Sequence, residues 1–158
     1  MRARVVAGDP LIATAFEKIR QTVLALSREE PVLRKEVSEM REKMRLSLGS
    51  AEAGKFDLKQ DRGGIADIEF ITQYAVLAWA REHPSLITYT DNMRILDALS
   101  KEGLMLAVDV EQLQQAYKSY RQIVHRMKLQ EQSPRISESE FGTERENVSA
   151  IWQRIFEL

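Results

Sequence analysis

The first third of the chain carries two stretches in which apolar residues recur at helical spacing. The first follows Asp9 and Pro10, a pair typical of a helix start. The second begins near Pro31 and ends before Gly49. The apolar positions are Phe16, Ile19, Val23 and Leu26 in the first stretch, and Leu33, Val37, Met40 and Met44 in the second. Each pattern predicts an amphipathic helix with its apolar side against a core.

A third pattern begins after Gly64 and is apolar on nearly every side. It ends by Pro84, and its apolar residues are Ile65, Ile68, Phe70, Ile71, Tyr74, Ala75, Val76, Leu77, Ala78, Trp79 and Ala80. A helix that is apolar all round is normally buried at the centre of a domain. We therefore expect this helix to be the central one.

Three more helices are predicted in the second half, and residues 130–142 form a polar loop between the last two. The last two begin with capping boxes, in which a side chain at each end of a four-residue window satisfies free N–H groups. The predicted starts are Thr90 or Asp91, Asp109 with Gln112, and Thr143 with Glu146. The pattern predicts an all-α fold, a bundle of about six helices.

Residues 50–64 form one long irregular segment before the central helix. Apolar and polar residues alternate from Phe56 to Lys59, which predicts a short extended piece there. Residues 1–9 also lack a helical pattern, and they fit either the tail of a longer polypeptide or a native N-terminal arm. We expect one helical domain, with the bundle itself over residues 10–158.

Composition excludes several kinds of site. The chain has 158 residues and no cysteine, which excludes disulfides, thiolate zinc sites and cysteine nucleophiles. Its 23 Lys and Arg residues nearly balance 24 Asp and Glu residues and are interspersed with them, so no nucleic-acid or membrane surface is predicted. No metal-binding motif, membrane-spanning run or secretory signal is present, and we expect a cytoplasmic protein.

The stretch FDLKQDRGGIADIEF, residues 56–70, breaks the helical pattern with a lysine, two glycines and two carboxylates. Lys59, Gly63 and Gly64 fit a phosphate seat, because glycines let a phosphate approach the backbone at a helix N-terminus and a lysine adds positive charge. The alternative is a turn that needs permissive backbone angles. The residues themselves leave both interpretations open.

Asp67 and Glu69 are two residues apart, which places them about 200° apart around a helix axis. We therefore do not expect them to share a metal ion. Asp67 lies where a carboxylate caps the first turn and is favoured by the helix dipole. Glu69 lies in a nearly all-apolar helix, where an unpaired carboxylate is costly, so a cation, a donor or a solvent-filled cleft should lie beside it. Both a buried ion pair and a functional carboxylate remain open for Glu69.

The run from Phe56 to Tyr74 resembles a known signature, K-x-x-x-G-G-I-x-D-I-E-F, of the bacterial bifunctional glutamine synthetase adenylyltransferase/adenylyl-removing enzymes. The resemblance covers nearly the whole chain, and the D-I-E-F form followed by I-T-Q-Y is similar to the C-terminal, adenylylating half. Further segments resemble the last part of that enzyme in the same order: RARVVAGDP, EMREKMR at 39–45, TDNMRILDAL at 90–99 and residues 149–158.

The resemblance implies a function larger than this chain. The family transfers AMP from ATP to a tyrosine of glutamine synthetase on a magnesium-dependent nucleotidyltransferase core, whose metal ions are held by an Asp-x-Asp pair. This chain has no Asp-x-Asp, so no catalytic residue is expected in it, and residues 1–9 would be a remnant of the upstream core. The signature residues would then face the nucleotide cleft: Lys59, Gly63, Gly64, Asp67 and Glu69. The chain alone would be inactive.

The resemblance also leaves a second hypothesis, in which the bundle is a regulatory or docking module. Its partners would be the PII signalling protein, glutamine or glutamine synthetase. The region of Tyr117, Tyr120 and Arg121 is one candidate surface, although the spacing of these residues is equally that of an ordinary core.

Overall fold

A computed structural model of the chain describes residues 2–49 and 52–157. Six α-helices account for most of the described residues, so the predicted all-α bundle is confirmed. The elements, in chain order, are α1 (Pro10–Leu24), α2 (Glu30–Leu48), β1 (Lys55–Asp57), α3 (Ile65–Trp79), a 3₁₀ helix (Pro84–Ile87), α4 (Asn92–Lys101), α5 (Ala107–Leu129), β2 (Arg135–Ser137) and α6 (Gly142–Phe156). None of the described helices combines the length and the apolar character needed to cross a membrane.

Helix α3 is the centre of the bundle, as its all-round apolar pattern predicts. It packs against α2, α4, α5 and α6. Ile68, Ile71 and Tyr74 are almost completely buried, and the Tyr74 ring meets Phe156 of α6 edge-on at 5.0 Å between centroids. Because α3 touches four other helices, the residues at its start are held from several sides.

The extended piece predicted near Phe56 is strand β1, and its partner was not predicted. β1 pairs antiparallel with β2, and Phe56 lies opposite Ile136. Both side chains are buried. β2 lies inside the segment expected to be a loop, because a strand of three residues is too short to show the alternation that identifies strands. This pairing anchors the segment that leads to α3.

The first two helices face the core differently from the prediction. In α1 the buried residues are Arg20 and Leu24, while Ile19 and Val23 of the predicted apolar stripe are exposed. The Arg20 guanidinium donates to the carbonyl of Ile87 at 2.8 Å, which directs this side of α1 inward. In α2, Leu33 is buried as predicted.

An arginine also replaces a predicted core methionine in α2. Met40 is exposed, and Arg41 is buried instead. In both α1 and α2 the apolar spacing correctly predicts a helix, but a buried arginine decides which side of the helix faces the core.

Helix starts are confirmed in α1 and α4 but not in α5 and α6. Asp9 caps α1 by accepting from the Leu11 N–H at 2.7 Å, and Asp91 caps α4. The capping box predicted at Asp109 is wrong, because α5 begins at Ala107 and the Asp109 carboxylate accepts from Arg154 at 2.6 Å. The box predicted at Thr143 is also wrong, because α6 begins directly after a left-handed Phe141.

Two neighbouring residues of α1 test which side of this helix is buried. Leu24→Ala should lower the free energy of unfolding by about 2–4 kcal/mol, because it removes buried methyl groups and leaves a cavity. Val23→Ala is the matched control and should cost about 0.5 kcal/mol or less, because Val23 is exposed. Urea denaturation of the three proteins measures both values. A larger loss for Val23→Ala than for Leu24→Ala would show that α1 is rotated relative to this description.

Candidate functional site

The segment between β1 and α3 is a tightly hydrogen-bonded turn. The Asp57 carboxylate accepts from the backbone N–H groups of Lys59 and Gln60 at 2.8 and 3.1 Å. The Leu58 and Lys59 carbonyls accept from the N–H groups of Ile65 and Ala66 at 2.9 and 3.1 Å. The backbone of Lys59 is therefore fixed on both sides, by Asp57 before it and by the first residues of α3 after it.

The two glycines allow close packing of the backbone in and around the turn. Gly63 has φ = +79°, a left-handed conformation that favours glycine, and a Cβ there would lie 2.5 Å from the Arg145 carbonyl of α6. A Cβ at Gly64 would lie 2.9 Å from the Leu58 carbonyl. A side chain at either position would collide with backbone, so both positions require glycine for steric reasons.

The backbone donors expected to bind phosphate are already engaged within the chain. The Gly63 N–H donates to the Asp67 carboxylate at 2.7 Å, and the Gly64 N–H donates to the Asp61 carbonyl at 3.0 Å. The N–H groups of Ile65 and Ala66 are also used, as described above. In this arrangement Gly63 and Gly64 offer no free N–H to a phosphate, because the turn itself consumes these donors.

Asp67 forms a buried ion pair with Arg41 of α2. The Arg41 Nε–H donates to one carboxylate oxygen at 2.6 Å, and both side chains are less than a tenth exposed. A second Arg41 nitrogen donates to the Gln60 carbonyl at 2.7 Å. Burial raises the pKa of Asp67, while Arg41 and the Gly63 N–H act in the opposite direction. The pair ties α2, the turn and the start of α3 together.

Glu69 points away from Asp67, as their spacing predicts. Its carboxylate pairs with Arg2 at 2.5 Å and accepts a hydrogen bond from the Tyr117 hydroxyl of α5 at 3.2 Å. The side chain is one-fifth exposed, so Glu69 is neither fully buried nor unpaired. Of the partners expected beside Glu69, the structure shows a cation, Arg2, and a donor, the Tyr117 hydroxyl.

A polar network continues from Glu69 into the bundle. Asn92 donates to the Tyr117 oxygen at 3.0 Å and accepts from the Thr72 hydroxyl at 2.9 Å. Burial raises the pKa of Tyr117, and its hydroxyl donates to Glu69. The network links α3, α4 and α5 on the side opposite the Arg41–Asp67 pair.

Lys59 is the signature residue whose charge remains available. Its side chain is exposed and has no hydrogen bond or ion pair with any described residue. Its backbone, in contrast, is held by the hydrogen bonds of the turn. A free ammonium group on a fixed backbone can contact an anion outside the bundle without ordering the chain first.

The surface proposed around Tyr117, Tyr120 and Arg121 is mostly interior. Tyr120 is completely buried, with its ring edge-on to Phe56 and Phe141. Tyr117 is engaged in the Glu69 network, and only Arg121 is exposed. The helical spacing of the two tyrosines therefore reflects core packing.

A cavity of about 180 Å³ lies beside the buried ion pair, where α2, the turn and α6 meet. It was not predicted from the sequence, although Arg41 and Arg45 are spaced by one helical turn within EMREKMR. Its lining includes Arg41, Arg45, Arg62, Asp67, Ser149 and Trp152. Glu42 pairs with Arg45 and lies 3.7 Å from Arg62, so the charges largely compensate one another. Across residues 2–49 and 52–157, no three potential ligands from His, Asp and Glu cluster as a metal site.

Comparison with known proteins identifies the family. The family model described as GlnD PII-uridylyltransferase matches residues 32–137, which span α2 to β2 and include the whole signature. The chain belongs to this family.

Curated relatives match nearly the whole chain. A bifunctional glutamine synthetase adenylyltransferase/adenylyl-removing enzyme of Pseudomonas aeruginosa is 48% identical over 98% of the chain. The corresponding enzymes of Pseudomonas syringae pv. tomato and Nitrosococcus oceani are 47% and 46% identical over 98% and 99% of it. The resemblance drawn from the signature is thus confirmed. The chain spans about one sixth of the length of these relatives, 16–17%.

The two carboxylates of the signature should differ strongly in their effect on stability. Asp67→Ala should lower the free energy of unfolding by about 3–5 kcal/mol, because it leaves the Arg41 charge buried and unpaired. Glu69→Ala, the matched control two residues along α3, should cost about 1 kcal/mol or less, because its partner Arg2 is largely exposed. Chemical denaturation measures both.

A double variant separates the ion pair from simple packing. Arg41→Met combined with Asp67→Ala should cost less than the sum of the two single changes, because it removes both charges together. If the losses of unfolding free energy in the two single variants simply add up in the double variant, Asp67 is not the partner of a buried charge. Equal losses for Asp67→Ala and Glu69→Ala would contradict the assignment in the same way.

Proposed function

We propose that this chain is the helical domain that follows the nucleotidyltransferase core in a glutamine synthetase adenylyltransferase, and that it forms one wall of the nucleotide cleft of that core. The similarity to enzymes of this name supports the assignment. The role in the cleft rests on Lys59, whose side chain is exposed and unpaired and whose backbone is held by the hydrogen bonds of the turn. The adenylyltransferase relatives match nearly the whole chain, whereas the family model, whose description names uridylyl transfer, matches only residues 32–137. This difference in coverage favours adenylyl transfer.

The reaction is the transfer of AMP from ATP to a tyrosine hydroxyl of glutamine synthetase. The hydroxyl oxygen attacks the α-phosphorus of ATP, a phosphodiester O–P bond forms, and the bond to the β-phosphate oxygen breaks. The tyrosine loses its proton, and pyrophosphate leaves with the electron pair of the broken bond. Negative charge therefore develops on the pyrophosphate, where a fixed positive charge is most effective.

The described residues do not fit the magnesium that the family uses. Asp67 and Glu69, the closest approach to a paired-carboxylate motif, point to opposite sides of α3 and are each held by an arginine. No alternative cluster of ligands occurs within the described parts of the chain. We infer that the metal is held by the core, and that this chain contributes no metal ligand and does not transfer AMP by itself.

In this proposal the signature divides into one contact residue and its supports. Lys59 donates to the β- or γ-phosphate as a point charge. Gly63 and Gly64 allow the turn to lie against α6 and Leu58, and Asp67 holds the turn through Gly63 and Arg41. Glu69 holds Arg2, and with it the segment that leads from the core into the bundle.

The test is Lys59→Ala in the full-length enzyme, with Lys55→Ala as the matched control. Both lysines are exposed and only four residues apart, so general charge effects are the same. Lys59→Ala should lower kcat/KM for AMP transfer by about a hundredfold, the effect typical of losing one electrostatic contact to the reacting group. It should leave the melting temperature unchanged, and Lys55→Ala should change neither value. Radiolabelled AMP incorporation into glutamine synthetase measures the activity.

Two outcomes would overturn this role. Equal activities of the Lys59→Ala and Lys55→Ala enzymes would show that Lys59 does not contact the nucleotide. Unchanged basal AMP transfer, combined with a lost response to PII or glutamine in the Lys59→Ala enzyme alone, would replace the cleft with a regulatory site.

A further inference from the structure

The most apolar side of α1 faces solvent. Four large apolar residues of the helix lie on this side within about 120° of arc, and Leu26, just beyond the end of the helix, continues it. Their exposed fractions are 81% for Leu11, 72% for Ile12, 63% for Ile19, 48% for Val23 and 54% for Leu26. We refer to these five residues as the α1 outer face. A continuous apolar surface of this kind marks an interaction site more often than a free surface.

Polar contacts prevent α1 from turning this face toward the bundle. Arg20, on the opposite side, donates to the Ile87 carbonyl at 2.8 Å and pairs with Glu17 at 2.7 Å. At the end of the helix, Arg28 donates to the Val23 carbonyl at 2.9 Å and to the Leu77 carbonyl of α3 at 3.3 Å. Rolling α1 to bury its apolar side would break these bonds and leave the Ile87 and Leu77 carbonyls without their arginine donors. The outward direction is therefore built into the fold.

The residues before α1 also expose apolar side chains. Val5 and Val6 are 43% and 86% exposed, and the same segment is tied to the bundle through Arg2 and Glu69. Segment and helix thus present apolar side chains while their polar side chains attach them to the bundle.

The length of the relatives indicates what covers this surface. The chain spans about one sixth of their length, so an enzyme of this kind contains several times more polypeptide than the bundle. We propose that the α1 outer face is the surface on which the nucleotidyltransferase core of the same polypeptide docks. This inference rests on the function proposed above and adds to it the contact that orients the core relative to Lys59.

Site-specific photo-crosslinking in the full-length enzyme tests the inference. The photoreactive residue p-benzoylphenylalanine replaces Ile19 in one protein and Gln21 in the other. Both positions are exposed, but they lie on roughly opposite sides of α1, about 160° apart. Irradiation should link position 19 to a peptide of the core in the same molecule, while position 21 should give no such link. Mass spectrometry of the digested monomer band identifies the linked peptide.

A pair of charge variants gives a second measurement. Ile19→Asp combined with Val23→Asp should lower AMP transfer by about a hundredfold, because small misplacements of a reacting group have effects of this size. Gln21→Asp should leave the activity unchanged. Both changes are at exposed positions, so the melting temperature of the bundle should be preserved.

Several outcomes would overturn the inference. A link from position 19 between two copies of the chain would assign the face to self-association, and a link to glutamine synthetase or PII would assign it to that partner. No link from position 19, together with full activity of the Asp variant, would show a solvated face. Each of these results leaves the Lys59→Ala experiment interpretable, so failure of the docking surface is distinct from failure of the proposed function.

Discussion

The ion pair between Arg41 and Asp67 is the constraint on which the start of α3 depends. It is buried, and the same arginine also holds the Gln60 carbonyl while the same aspartate holds the Gly63 N–H. Four points on three segments are therefore fixed by two side chains. Because burial makes an unpaired partner costly, neither charge tolerates loss of the other. The orientation of the turn, and with it the position of Lys59, follows from this pair.

The signature motif has a different meaning in three dimensions from the one its composition suggests. Adjacent glycines before a helix are the expected form of a phosphate loop, but here the donors of that loop are consumed by Asp61, Asp67, Leu58 and Lys59. The glycines are required because backbone of α6 and of the turn itself passes too close for a side chain. The motif encodes a rigid support, from which the side chains of Lys59 and Arg62 reach the surface and that of Glu69 is partly exposed.

The sequence predicts the elements of this fold better than it predicts their orientation. Helix α3 was identified as central because an all-round apolar pattern has one physical explanation, and the divergence of Asp67 and Glu69 follows from helix geometry alone. The direction of α1 could not be predicted, because the carbonyls that attract Arg20 come from the distant residues Ile87 and Tyr89. The capping boxes failed for a related reason, since Asp109 is used by Arg154.

Some signals in the sequence did point to the site. Arg41 falls in line with Leu33 and Val37 on one face of α2, and a charge within an apolar stripe indicates a buried partner. The partner itself, Asp67, lies in another helix and is visible only in the structure. Strand β2 left no comparable signal, since three residues cannot establish a period.

The contact of Gly63 with Arg145 also makes the turn and α6 move as one body. Because no space separates the two backbones, any movement of the turn at Gly63 would press directly on α6. Trp152 lies on that helix and lines the cavity beside Arg41 and Asp67, whereas the other tryptophan, Trp79, lies at the far end of α3. The indole emission of Trp152 therefore offers a natural fluorescent probe of the region where α6 meets the turn and the buried ion pair.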